Sequence, residues 1–272
     1  MSGKKETVAL GQTTFKTLIL EEKQNVLRVI LNRPDKLNAL NAEMYAELHS
    51  VLDIVERSPE YRVLIFTGSG KAFCAGGDIA ELSQAAATLE SAQARLRMSH
   101  RLATRLRGLK QPVLMAVNGA AVGAGFSLAL NGDLIIASET ARFGATFLHV
   151  GLVPDMGCIH TLVHLLGTSK ACELSFMAGT IDAAQAEKMG VVNRVVEREK
   201  LDQVADEWAE EMANLPFLSL SLLKKAIYKA QDMNFSAEIE DEINLQSLCL
   251  LSKDGREGLK AFLEKRKPAF NR

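Results

Sequence analysis

Three observations predict an α/β fold for this chain. Apolar runs of strand length alternate with stretches of helical periodicity, two of the strand-to-helix passages are crowded with glycine, and roughly the last seventy residues carry almost no strand signal. With 272 residues, 47% of them apolar, the chain is long enough for one large α/β domain with a helical tail.

The elements follow in order. Phe15 to Glu21 and Val26 to Leu31 read as two strands joined by a hairpin turn at Lys23-Gln24-Asn25. Asn32-Arg33-Pro34-Asp35-Lys36-Leu37-Asn38-Ala39-Leu40 is a loop, because Pro34 pins the backbone and removes a donor. Asn41 is a good cap for the helix that follows, whose Met44, Leu48, Val51, Leu52 and Val55 share one face. The strand Val63 to Thr67 leads into the first glycine loop, Lys71-Ala72-Phe73-Cys74-Ala75-Gly76-Gly77-Asp78, and a helical region then runs from about Ile79 to Leu109. Pro112 ends the connection to the strand Val113 to Val117, which opens the second glycine loop, Val117-Asn118-Gly119-Ala120-Ala121-Val122-Gly123-Ala124-Gly125. Beyond it come a short strand at Leu134 to Ala137, the loop around Gly151-Leu152-Val153-Pro154-Asp155, and a last strand signal at Val191 to Val195.

Four helices complete the chain: Leu201 to Leu215, Leu218 to Gln231, Phe235 to Leu251 and Asp254 to Lys265. Stripes at Leu220, Leu223 and Ile227, and at Phe235, Ile239, Ile243 and Leu250, need partners. Packing on the chain's own body is the expectation, with another subunit as the alternative.

Composition excludes several function classes. The formal charge is −1, which gives no electrostatic reason to expect nucleic acid or an anionic membrane, so a small ligand is the better expectation. Lys224, Lys225 and Lys229 form the nearest thing to a basic patch and read as a solvated helix face. Cys74, Cys158, Cys172 and Cys249 are too scattered for a disulfide framework and read as reduced thiols. His160 and His164 near Cys158 lack the further ligands a metal needs, so no metal site is expected. The N-terminus has no apolar core of a signal peptide, no stretch approaches a membrane span, and Phe270-Asn271-Arg272 is not a peroxisomal address; a soluble cytoplasmic protein is expected.

Each glycine loop ends with backbone N–H groups at a helix start, where a developing negative charge is welcome. One N–H from each loop makes an oxyanion hole without any polar side chain.

The two loops, the Asn32-Arg33-Pro34 to Leu40 segment and the ending Phe262-Leu263-Glu264-Lys265-Arg266-Lys267-Pro268-Ala269-Phe270, in this order, resemble the crotonase superfamily, the enoyl-CoA hydratase/isomerase group. That resemblance implies a spiral of ββα units over residues 1–200 and a helical region over 201–272 that builds homotrimers, two of which stack into a homohexamer. It implies an acyl-CoA thioester as substrate, with no separate cofactor. It assigns the oxyanion donors to the N–H groups of Gly77 and Ala124. It also implies that CoA lies along Lys36, Leu37, Ala39, Ala75, Asp78 and Ile79, with Lys36, Lys71 and a neighbouring subunit's Lys265 or Lys267 near its phosphates.

The chain departs from the hydratases of that group. Their two glutamates correspond to Ser127 and Phe147, neither of which can act as a carboxylate base. What remains is Asp155, in Leu152-Val153-Pro154-Asp155, a position where isomerases of the superfamily carry an aspartate. One carboxylate suffices for a 1,3-proton shift. An ordinary aspartate, with a reference pKa of ~3.9, is a weak base for an α-proton, and burial against Phe126, Phe147 and Met156 raises it. Asp155 is equally suited to cap the helix that follows. His149 and Glu81 are weaker candidates, the first a packed histidine and the second a first-turn carboxylate. The expected activity is enoyl-CoA isomerisation. Hydration is the alternative, and an aryl-CoA dehalogenase, which pairs such an aspartate with a histidine near His100, or an RNA-binding relative stands behind both.

Overall fold

The computed structural model describes residues 14–85 and 88–271. The chain opens with β1 (Leu18–Lys23) and β2 (Val26–Leu31), an antiparallel pair closed by Gln24 and Asn25, with Gln24 at φ 53°. The hairpin starts later than the apolar run suggests. The N–H groups of Lys16 and Thr17 go to the Glu47 carboxylate, at 2.6 and 2.9 Å, and so are lost to the ladder. Helix α1 (Ala42–Arg57) follows a 3-10 turn at Pro34–Lys36, and the Asn41 side chain accepts from the Met44 N–H at 2.9 Å, as its capping role predicts. All five residues of the expected apolar face are buried, joined by Tyr45. Each such side chain contributes about 1.5–3 kcal/mol.

From here each turn of the chain lays down two strands. β3 (Val63–Gly68), β5 (Val113–Val117) and β7 (Leu134–Ser138) lie parallel in a six-stranded sheet that ends on β10 (Arg194–Val196), in the order β1-β2-β3-β5-β7-β10. Their short successors β4 (Ala72–Cys74), β6 (Ala120–Val122) and β8 (Arg142–Gly144) run parallel in a four-stranded sheet, which β9 (Ile181–Asp182) completes. The helices between them are α2 (Ile79–Ala85) and α3 (Leu89–Gly108) after the first pair, α4 (Ala124–Ala129) after the second, and α5 (Cys158–Phe176) and α6 (Ala183–Lys188) after the third. This is the expected ββα spiral. The helical region read as continuous from Ile79 to Leu109 is two helices, because Thr88 starts the second with a capping box to Ser91.

Both faces of the large sheet are covered, as parallel sheets require. Leu64, Phe66, Met115, Val117 and Ala137 face one core with α1 and α3. The alternate residues Val63, Ile65, Leu114, Ala116 and Ile136 face a second core, made with α7 (Leu201–Ala213). The strand expected at Val191 to Val195 is β10 (Arg194–Val196), beside β7. Residues 201–272 therefore divide: α7 belongs to the sheet, whereas α8 (Phe217–Ala230), α9 (Phe235–Leu251) and α10 (Lys253–Leu263) stand outside it.

Two expectations for these helices are corrected. The stripes of α8 and α9 do not pack on the chain's own body: Leu223, Ile227, Ile243 and Phe235 are exposed, the last by 79%. Lys224 does not join Lys225 and Lys229 on a solvated face. It is buried, pairs with Asp133 at 2.8 Å, and donates to the carbonyls of Leu106 and Gln111 at 3.0 Å each. Among the described residues no helix is long and apolar enough to cross a membrane, no group of His, Cys, Asp and Glu could hold a metal, and the four cysteines are free thiols.

Candidate active site

The two glycine loops meet. Gly76 has φ 105°, and a Cβ placed on it would stand 3.6 Å from Ala124 N and 3.8 Å from Gly123 Cα. α4 approaches β4 so closely that a Cβ on Gly125 would lie 2.1 Å from the Cys74 carbonyl oxygen, a contact no side chain tolerates. Two buried asparagines fix the first loop. Asn38 donates to the carbonyls of Ser69 and Ala72, at 2.9 and 2.8 Å, and Asn118 accepts from the Gly68 N–H at 3.1 Å.

Leu40 bridges to Gly77, receiving its partners from the residues on either side: its N–H donates to Gly76 O at 2.8 Å and its carbonyl accepts from Asp78 N at 2.9 Å. That parallel pairing turns the Gly77 N–H away from Leu40. Ala124 is the first residue of α4, and its N–H has no intrahelical acceptor. The two donors singled out in the sequence thus sit on touching loops.

Asp155 lies in the loop before α5. It does not cap that helix: Gly157 occupies the cap position without a side-chain bond, and the Asp155 backbone carbonyl accepts from Cys158 N at 3.0 Å. Met156 and Gly157 are both left-handed, at φ 51° and 79°, an uncommon state for methionine. Asp155 Oδ1 is buried and has no hydrogen-bond partner among the described residues. Burial pushes the carboxyl above its usual range, opposed by His100 and its own backbone N–H. Met156, next in sequence, is buried, as is Phe147, and Tyr45, near enough for the Asp155 charge to act on it, reaches Met156 Sδ with its hydroxyl at 3.6 Å. Burial likewise raises the Cys158 thiol to about 12. Phe126 packs in the core against Phe143, with ring centroids 5.8 Å apart. Ser127 is fully buried, its hydroxyl 3.4 Å from the Gly123 carbonyl.

The expected CoA-binding residues cluster along one rim. Lys36, Leu37 and Ala39 belong to the 3-10 turn and its exit, Ala75 N donates to Leu37 O at 3.0 Å, and Ile79, half exposed, begins α2. A Cβ on Gly70, next to Lys71, would lie 3.2 Å from Pro34 Cβ, so the exposed Lys36 and Lys71 sit on adjoining turns. The Asp78 carboxylate is committed to Arg33 at 2.9 Å, which holds its pKa below the usual range, and its backbone N–H and carbonyl are already bonded to Leu40 O and Leu82 N, at 2.9 Å each. Glu81 is not a free first-turn carboxylate: it accepts from Ala42 N at 3.0 Å and pairs with Arg95. His149 is exposed rather than packed.

Two residues of the site escaped the sequence reading. Tyr45 was visible in principle, three residues before Leu48 on the apolar face of α1. Asn131 carried no periodic signal; its amide ties the Met156 carbonyl to α4.

A spiral of ββα turns and two touching glycine loops agree with what the chain is similar to. The sequence profile of the enoyl-CoA hydratase/isomerase family matches residues 21–272. The 1,2-epoxyphenylacetyl-CoA isomerase of Escherichia coli is 37% identical over 249 residues, 91% of this chain and 95% of its own. The short-chain-enoyl-CoA hydratase of Clostridium acetobutylicum is 35% identical over 251 residues, 92% of this chain and 95% of its own. Among solved structures, an enoyl-CoA hydratase from Bacillus anthracis superposes with a TM-score of 0.89 at 32% identity, covering 94% of this chain and 99% of that one. An enoyl-CoA hydratase/isomerase from Cupriavidus metallidurans gives 0.90 at 33%, covering 95% and 97%. By profile, relatives and fold alike, this chain belongs to the enoyl-CoA hydratase/isomerase family, within the crotonase superfamily.

Proposed function

We propose that the protein is an enoyl-CoA isomerase that shifts a double bond by a 1,3-proton transfer through a thioester enolate. The observation that carries this is the half-buried Asp155, whose Oδ1 is buried and has no hydrogen-bond partner among the described residues. It stands in a chain that has Ser127 and Phe147 where a hydratase of the group has glutamates. Asp155 takes a proton from C2 of a 3-enoyl-CoA and returns it at C4. Charge that gathers on the thioester oxygen is met by the N–H groups of Gly77 and Ala124, each worth about 2.7–4 kcal/mol in the transition state. Burial favours the step by raising the aspartate's basicity toward that of the α-carbon. CoA runs along Lys36, Leu37, Ala39, Ala75, Asp78 and Ile79 with its phosphates toward Lys36 and Lys71, and Phe147 lines the acyl end; Phe126 acts on that end from behind, through the core.

The name of the Escherichia coli relative supports an isomerase. That of the Clostridium relative supports the second reading, water addition to a 2-enoyl-CoA, which here would need a group other than a glutamate pair to hold the water. The exposed apolar faces of α8 to α10 support a homotrimer or homohexamer, and the four free thiols suit a reducing, cytoplasmic setting.

Incubation of the purified protein with a 3-enoyl-CoA and, separately, with crotonyl-CoA decides between the two. Chromatography is expected to show conversion of the first to the 2-enoyl isomer and little water addition to the second. Rapid hydration of crotonyl-CoA with no double-bond migration would sink the isomerase reading.

A further inference from the structure

Asp155 has two chemically sensible futures. It precedes α5 by three residues, where an aspartate readily swings onto the free N–H groups of the first turn and becomes a cap. A capped carboxylate is a poor base, because its lone pairs are taken by donors. In the structure the cap is unmade and Oδ1 is left without a partner. Something must hold the loop in that less favourable arrangement, and the left-handed Met156 marks where the hold acts.

Asn131 is the group in contact there. It lies just past α4 and is 2% exposed. Its amide nitrogen donates to Ser127 O at 2.7 Å and to Met156 O at 2.9 Å. Both acceptors are carbonyls, so the nitrogen must face them, and each of its two protons has one destination. One bond anchors Asn131 to the helix whose first N–H is the candidate oxyanion donor; the other grips the Met156–Gly157 peptide, one residue past Asp155.

We infer that Asn131 is a positioning residue: by clamping the Met156 carbonyl to α4 it holds Asp155 off the helix cap and in register with the oxyanion hole. The inference rests on the reading of Asp155 as the base. Released from the clamp, the loop relaxes and the carboxylate gains donors from α5 or from water. The ionisable groups that act on Asp155 are Tyr45 of α1, His100 of α3 and Cys158 of α5, and none of them bonds to Asn131.

The test compares Asn131→Ala, Asp155→Asn and the unaltered protein on a 3-enoyl-CoA across pH. For Asn131→Ala, kcat is expected to fall about 10- to 100-fold with KM changed less than about threefold, the scale seen when a supporting contact of a reacting group is removed. The acid limb of its kcat profile moves to lower pH, because the newly bonded carboxylate titrates lower. Should that variant not fold, Asn131→Ser, which keeps one donor, is read in the same way with a smaller effect. An inactive Asp155→Asn beside an Asn131 variant with unchanged kcat and acid limb would overturn the inference alone. A fall in kcat with an unmoved acid limb would also overturn it, since loosened packing would then suffice. Full activity in Asp155→Asn would mean that the base itself is misassigned, and the inference falls with it.

Discussion

At the scale of the residue, the site is built from groups denied their usual partners. Asp155 is held above the normal carboxylate range by burial, so in the folded state it keeps its proton to higher pH than in the unfolded chain. The sign follows: its ionised form opposes folding, and its contribution to stability improves as pH falls through the folded pKa. Asp155→Asn, which removes the charge and keeps the shape, is therefore expected to stabilise the protein while abolishing turnover. A gain of about 1 kcal/mol, roughly 2–4 °C, is the scale to look for by differential scanning calorimetry. A melting point below that of the unaltered protein would mean that the carboxylate is a structural partner. The aspartate was legible in the sequence because it stands alone where two glutamates are missing. Its freedom from the cap was not, because that depends on Asn131, twenty-four residues away in sequence and brought near only by the fold.

Elements divide by length in how well the sequence foretold them. Strands of five or six residues and helices of three turns or more show a period, and β2, β5 and α9 begin and end where that period does. The strands of the small sheet have two or three residues each, too few to alternate; β4 and β6 were hidden inside what read as glycine loops, and β8 and β9 gave no strand signal. Those strands are what brings the two loops into contact. α4 offers a backbone test of the oxyanion hole. Proline is tolerated at the first position of a helix and lacks an N–H, so Ala124→Pro deletes the donor at a site the helix can accept. Activity should fall by about 10²–10³-fold, with circular dichroism unchanged. Unchanged activity would remove Ala124 from the hole.

For the molecule as a whole, the pattern of what is buried and what is not divides the chain. α8 is fastened to the body in part by a polar cluster: Lys224 between Asp133, Leu106 and Gln111, and Tyr228, whose hydroxyl donates to Asp133 at 2.8 Å. Lys224→Ala leaves a largely buried carboxylate without its cation, a loss of about 3–5 kcal/mol that urea denaturation would register. A charge run in sequence could not announce this, since a lysine at helical spacing reads the same whether its face meets water or a carboxylate. The apolar residues of α9 and α10 remain open, with Phe262 83% and Leu263 81% exposed. Surfaces of that kind are covered in stable proteins. Sedimentation should give a multiple of the 29.7 kDa chain, and Phe262→Glu should lower it. A monomer at micromolar concentration would contradict the oligomer and leave these helices without a purpose.

In the proposed reaction one carboxylate, Asp155, carries the proton from C2 to C4, so the substrate's own hydrogen is the tracer. That transfer is checked by running a 3-enoyl-CoA dideuterated at C2 in H2O with the unaltered protein and with Asp155→Asn, and following deuterium at C4 of the product by mass spectrometry. A 2-enoyl-CoA that carries the transferred deuterium at C4 is expected, formed about 10²–10⁴-fold more slowly by the variant. Equal rates of that transfer in both proteins, or a product that has gained water in place of a shifted double bond, would rule Asp155 out as the carrier.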